Sequence, residues 1–121
     1  MPGSGNQPED QRAYILHAVW FARPHGAQRY AEYLEAASVV ARKYGARRIE
    51  ALIPVDVIQG DFRPDYVYIT EWPSIEHFHR FVRDPAYRAA AHLREEACTK
   101  RIHLHCRRPS NWVADQSVLP E

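Results

Sequence analysis

The stretch Tyr66-Val67-Tyr68-Ile69-Thr70-Glu71-Trp72-Pro73-Ser74 decides the fold. Tyr66, Tyr68 and Thr70 fall on one side and Val67 and Ile69 on the other, the period-two pattern of a strand expected over residues 65–72. Pro73 stops it and Ser74 supplies a helix N-cap. Beyond the cap, Ile75, Phe78 and Phe81 form a short apolar stripe. Asp84-Pro85 then reads as a second cap followed by a first-turn proline, and Tyr87, Ala90, Leu93 and Ala97 continue the pattern. The strand is therefore followed by a helix broken in two. On its other side, Gln59-Gly60-Asp61-Phe62-Arg63-Pro64 forms a turn to an Ile-, Val- and Leu-rich run over residues 47–58. Pro54 within that run has no N–H for a ladder, which predicts an edge strand or a bulge.

Further out, Tyr30, Leu34, Ala37, Ala41 and Tyr44 recur at steps of three and four, predicting a helix over residues 28–44 with Gly45 as its left-handed cap. Tyr14 to Phe21 is β-branched and aromatic, and it stops before Pro24 and Gly26, so residues 12–21 read as the first strand. Over residues 99–107, Arg101, His103 and His105 alternate with Ile102, Leu104 and Cys106, predicting the last strand. The order is strand, helix, strand, strand, broken helix, strand. That is the α+β ferredoxin-like βαββαβ arrangement, a four-stranded antiparallel sheet with both helical segments on one face. The expected strand order is four, one, three, two. The uncovered face, expected to carry Tyr66, Tyr68 and one side of the first strand, would be too apolar for a monomer, so a sheet-to-sheet homodimer is expected.

Chain length and composition agree with one such unit. With 121 residues there is room for a single domain, expected over residues 12–107 between a polar arm at 1–11 and a tail at 108–121 whose one anchor is Trp112. A formal charge of +1 argues against a nucleic-acid partner or an anionic membrane surface. No apolar run reaches membrane-spanning length, and residues 1–11 lack a signal pattern. The two cysteines, Cys98 and Cys106, form no disulfide framework or metal pair. A cytoplasmic protein is expected.

The hairpin and broken helix, with Asp84-Pro85-Ala86-Tyr87 and Leu93-Arg94, resemble the bacterial domain-of-unknown-function family 1330, a group of small dimeric α/β-barrel proteins. Tyr30-Ala31-Glu32-Tyr33 and Tyr44-Gly45-Ala46 are similar to that family's first helix and its terminating glycine pair, with Ala46 replacing the second glycine. Arg23-Pro24-His25-Gly26 stands where the family has Asp-Pro. The resemblance runs from about residue 14 to 104 and implies the fold, but no substrate and no catalytic residues. The wider barrel superfamily includes cofactorless monooxygenases, polyketide cyclases, haem-dependent enzymes and proteins that only bind small molecules, so the choice among them rests on side chains.

Seven histidines supply the candidates. In the expected order the first strand lies between the third and fourth, so His17 can meet Tyr68 and Thr70 on one side and His103 and His105 on the other, all on the face away from the helices. His17 is the candidate proton shuttle, since imidazole titrates near neutrality, and Tyr68 would orient or donate to a developing enolate. Tyr66, Thr70, His103 and His105 are candidate ligand contacts. Glu71 and Arg94 are read as an ion pair stapling strand to helix. The reading is a cofactor-independent acid/base enzyme, a cyclase, isomerase or monooxygenase, acting on a small aromatic or carbonyl compound. The alternatives are a dimer that only holds a ligand or has a structural role, and a metal or haem enzyme. His17 with the His103-x-His105 pair could make a three-imidazole site, but it has no companion carboxylate motif. His77 and His79 point about 200° apart on a helix and cannot chelate together. No metal or cofactor is expected. Gly-rich phosphate loops and nucleophile elbows are absent.

Overall fold

A computed structural model describes residues 11–109, so the expected arm and most of the tail, Trp112 included, lie outside the described residues. Strand β1 (Ala13–Phe21) is followed by α1 (Gly26–Lys43), β2 (Arg47–Leu52), β3 (Tyr66–Trp72), α2 (Ile75–Arg83), α3 (Pro85–Ala97) and β4 (Cys98–Cys106). The four strands form one antiparallel sheet in the order β2-β3-β1-β4. β1 and β3 are thus interior, while β2 and β4 are edges. This is the expected ferredoxin-like α+β architecture, with its second helical segment split at Asp84.

The punctuation marks act as their chemistry predicts. Ser74 Oγ accepts from the N–H of His77 at the start of α2, and Asp84 Oδ1 accepts from the N–H of Ala86 at 2.7 Å, one residue past Pro85. Asp84 Oδ2 also accepts from the Tyr44 hydroxyl at 2.6 Å, which ties the end of α1 to the α2–α3 joint. Gly45 takes φ +83°, where its N–H meets the Arg42 carbonyl. A Cβ there would lie 2.7 Å from Pro73 Cγ, so both backbone conformation and space require glycine. At the other end of α1, a Cβ on Gly26 would fall 2.5 Å from the Ala97 carbonyl oxygen. The missing side chain therefore lets α1 approach the end of α3.

The register fixes which side chains share a face. His17 lies opposite Tyr68 and His103, Ile15 opposite Thr70 and His105, and Val19 opposite Tyr66 and Arg101. These residues face the helices: Ile15, Val19 and Tyr68 join Tyr30, Tyr33, Ala37 and Val40 of α1 and Tyr87 and Ala97 of α3 in one core. The expectation that Tyr66, Tyr68 and His17 line the uncovered face is therefore corrected. The uncovered face carries Leu16, Ala18, Val67, Ile69, Ile102 and Leu104, and Leu104 is 51% exposed.

A second correction concerns β2. It ends at Leu52, before Ile53-Pro54, and residues 53–64 run without ladder partners among the described residues, with Val55 and Ile58 almost fully exposed. Pro54 stands where the ladder stops, just beyond the end of an edge strand, as a residue without a donor should.

Candidate functional site in the cleft between helix and sheet

β1 brings His17 to the centre of the sheet, where it is 8% exposed. Its ring stacks on Tyr68, with centroids 4.1 Å apart and planes 3° from parallel, and meets the edge of His103 at 5.0 Å. Nε2 lies 3.0 Å from Thr70 Oγ1, which also accepts from the Trp72 indole N–H at 2.8 Å. A hydroxyl that already accepts from Trp72 is best satisfied by donating to Nε2. This places the imidazole proton on Nδ1, which has no partner among the described residues. Burial, reinforced by His103 and the Arg94 guanidinium, lowers the His17 pKa to about 3. The ring is therefore neutral at pH 7. The expected titration near neutrality gives way to a fixed neutral donor, because burial penalises the imidazolium and no carboxylate hydrogen-bonds to the ring among the described residues.

Around this ring the fold assembles phenols that pair with one another. Tyr30 and Tyr68 hydroxyls are 2.6 Å apart, and those of Tyr33 and Tyr87 are 2.9 Å apart. Burial pushes the phenols of Tyr30, Tyr33 and Tyr68 well above their ordinary range, so all three stay protonated. Arg94 of α3 donates from Nη1 to the Tyr87 hydroxyl at 2.7 Å, and its guanidinium carbon sits 5.9 Å from the Tyr33 and Tyr87 ring centres. Its Nε is buried without a hydrogen-bond partner among the described residues.

Between α1 and the β2–β3 side of the sheet lies a cleft of about 850 Å³, with His17, Tyr68, Thr70, Trp72 and Tyr33 among its lining residues. The volume suits a small organic molecule, and the wall combines apolar side chains with the charged Glu32, Glu35, Arg42, Arg47 and Arg48. The structure thus brings together His17, Tyr68 and Thr70, under the helices. Tyr66 shares their face, with its ring 5.3 Å from Tyr68, but stands outside the cleft lining. His103 touches His17 from the β4 side. Burial, then Arg94 and Arg101, lowers its pKa to about 4. His105, opposite Ile15, is exposed, and among the described residues no three His, Cys, Asp or Glu side chains form a metal-ligating group.

The expected Glu71–Arg94 staple is corrected. Glu71 is opposite Tyr14 on the uncovered face, where it accepts from Arg47 Nε at 2.7 Å and pairs with Arg12 at 3.5 Å. The Arg47 bond holds its carboxyl below the ordinary range. Arg94 is on the helix side, with Tyr87 and with Glu95 at 3.3 Å. Residues two apart on a strand share a face, and Glu71 is out of step with Thr70. Tyr30, Tyr33, Tyr87 and Trp72 were not singled out as site residues. Tyr30 and Tyr33 stand at helical spacing in the sequence, which is the one signal that could have placed them on a common face.

No curated protein matches the chain. Among solved structures, a protein of unknown function from Rhodopseudomonas palustris is similar at 23% identity and a TM-score of 0.76, covering 92% of this chain and 95% of its own. A dimeric ferredoxin-like protein of unknown function from Bacteroides fragilis has 13% identity and a TM-score of 0.61 over 84% and 98% of the two chains. SnoaB, a cofactor-independent oxygenase from Streptomyces nogalater, has 15% identity and a TM-score of 0.60 over 92% and 99%. These similarities establish the ferredoxin-like fold. The model of one family, Domain of unknown function (DUF1330), matches residues 12–104, and the chain belongs to that family.

Proposed function

We propose that the chain binds a small aromatic or carbonyl-bearing molecule in the cleft over His17, Tyr68 and Thr70 and acts on it as a cofactor-independent acid/base catalyst. The observation that carries this reading is the buried, neutral His17, oriented by the Thr70–Trp72 hydrogen-bond chain in a cleft of ligand size. A neutral imidazole fixed in one tautomer polarises a carbonyl oxygen and stabilises the enolate formed when a neighbouring C–H is ionised. Glu32 and Glu35 of α1 stand at the exposed rim of the same cleft and are the carboxylates we assign to receive the proton. The similar fold of a cofactor-independent oxygenase supports the reading by analogy.

The test is solvent deuterium exchange at the acidic C–H of 2-indanone, followed by proton NMR. Exchange accelerated by the protein and cut about 10²-fold or more in His17→Ala supports the assignment. Saturable binding with exchange no faster than in buffer favours the second reading, a dimer that only holds its ligand. That reading draws support from the phenols, which hydrogen-bond one another and leave no tyrosinate base.

The unit that does this, residues 12–107, works as a homodimer through the uncovered face of Leu16, Val67, Ile69 and Leu104. A monomer would leave that apolar patch in water, and dimeric proteins share the fold. Light scattering should give twice the chain mass, reduced to one in Leu104→Glu; a wild-type monomer at micromolar concentration would overturn the dimer. The free thiols Cys98 and Cys106 suit a cytoplasmic location.

A further inference from the structure

The segment between β2 and β3 holds large apolar side chains in water: Ile53, Val55 and Ile58 are 75%, 94% and 96% exposed. Its base, by contrast, is fixed to the uncovered face of the sheet. Leu52 lies opposite Val67, Val67 opposite Ala18 and Ala18 opposite Ile102, so Leu52 closes an apolar row that crosses all four strands. On the return limb the Phe62 ring meets Trp20 edge-on at 5.6 Å, and Trp20 alternates onto the same face as Leu16 and Ala18. Asp65 then anchors the chain to β1, its N–H donating to the Val19 carbonyl and its Oδ2 accepting from the Phe21 N–H, each at 2.8 Å. The exposed apolar tip is therefore a continuation of the uncovered face, held at both ends.

Reach and charge indicate what would cover it. Residues 53–64, half of them going out and half coming back, can extend about 20 Å from this base, whereas stacked sheets lie about 10 Å apart. A second sheet packed on the uncovered face is thus within range, and so is its edge. Residues 52–62 carry Asp56 and Asp61 and no Lys or Arg, while residues 98–108, β4 and its flank, carry Lys100, Arg101, Arg107 and Arg108 and no Asp or Glu. Arg101 is taken by Glu95 at 3.1 Å. Lys100, Arg107, Arg108 and both aspartates form no ion pair among the described residues. β4 also presents Ile102 and the exposed Leu104 on the uncovered face and has one free ladder edge. A two-fold axis running along the strands would set β2 of one copy over β4 of the other.

We propose that residues 53–62 are an exchanged arm, which each copy lays along β4 of a second copy. Val55 and Ile58 seat against the partner's Ile102 and Leu104, and the two aspartates enter the field of its uncountered cations. This rests on the homodimer proposed above and adds a reciprocal contact to it, made by a segment whose apolar side chains have no place in the core of their own copy.

The experiment uses the full chain, labelled with ¹³C at its Ile and Val methyls and mixed with an equal amount of unlabelled chain, and reads isotope-filtered NOE cross-peaks. Peaks from the labelled Val55 and Ile58 methyls to protons of the unlabelled copy support the arm. Sedimentation equilibrium supplies the second measurement: the dimer dissociation constant should rise at least about tenfold when Val55→Asp and Ile58→Asp are combined. Both side chains are almost fully exposed, so the double change leaves the fold of each copy intact. Either the absence of those cross-peaks in a dimer or an unchanged dissociation constant overturns the arm and leaves the sheet-to-sheet dimer standing. A wild-type monomer at micromolar concentration overturns both. Methyls that shift with phosphatidylcholine vesicles and not with a second copy would assign the segment to lipid and overturn the arm.

Discussion

Acidification should destabilise this protein through His17, with His103 acting in the same direction over the same range. His17 has an ordinary pKa of 6.5 in the unfolded chain and about 3 when folded. Between those values the unfolded chain takes up a proton that the folded one refuses, so stability is full above about pH 6.5 and falls with decreasing pH until about pH 3. At pH 4.5 the unfolded His17 is almost wholly protonated and the folded one almost wholly neutral. Going from pH 7 to 4.5 should therefore cost about 2.5 kcal/mol from this residue alone. The residue is 8% exposed, so solvent screening removes little of this. The perturbation to compare is His17→Gln, which keeps a polar group near Thr70 but cannot titrate. Urea unfolding at pH 7, 5.5 and 4.5 measures both proteins. Carboxylates and the remaining histidines contribute to both, and the difference between the two losses isolates His17. Equal losses, within about 0.5 kcal/mol, would falsify the assignment of a buried neutral ring.

Two further outcomes follow from the packing. Tyr30→Phe should destabilise by about 1–3 kcal/mol because it strands the buried Tyr68 hydroxyl, whereas Tyr30→Phe with Tyr68→Phe should cost less than the two single changes summed; a strictly additive cycle by chemical denaturation would refute the phenol pair. Gly45→Ala, which meets Pro73 in a left-handed conformation, should lower the thermal midpoint by an amount equivalent to at least about 1 kcal/mol, and an unchanged midpoint would show that the turn relaxes freely.

Much of this architecture is legible in the sequence because its punctuation is local. Ser74, Asp84-Pro85 and Gly45 each act through atoms within a few residues, and the Tyr66-Tyr68-Thr70 alternation needs only the pleat of one strand. Alternation says which side chains share a face, however, and not which face the helices cover. Here both faces of β1 and β3 are apolar or aromatic, and tyrosine serves equally under a helix or in an open lumen, so the pattern alone does not fix the layer of His17 and Tyr68. β4 misled in a related way. Its polar side, Arg101, His103 and His105, lies on the helix face near an edge, and its apolar side is the open one. The run over residues 47–58 has strand composition throughout, yet after Leu52 no neighbouring strand accepts its hydrogen bonds. Arg94 was visible only as a cation. That its partners are tyrosines from α1 and α3 depends on how the two helices cross the sheet, which no local pattern encodes.

The placement of β1 between β3 and β4 also governs how the chain reaches this state. Leu16 is bonded across the sheet to the neighbourhoods of Ile69 and Leu104, segments made long after it, and the sheet closes only when the last strand docks. Such non-local pairing slows folding, since chain entropy is lost before contacts compensate it. On the ribosome the first strand must wait, with one edge open, until residues 98–106 emerge. A nascent chain halted at Ala97 would therefore present β1 as an unpaired edge, and the final nine-residue strand is what turns an aggregation-prone intermediate into a finished sheet.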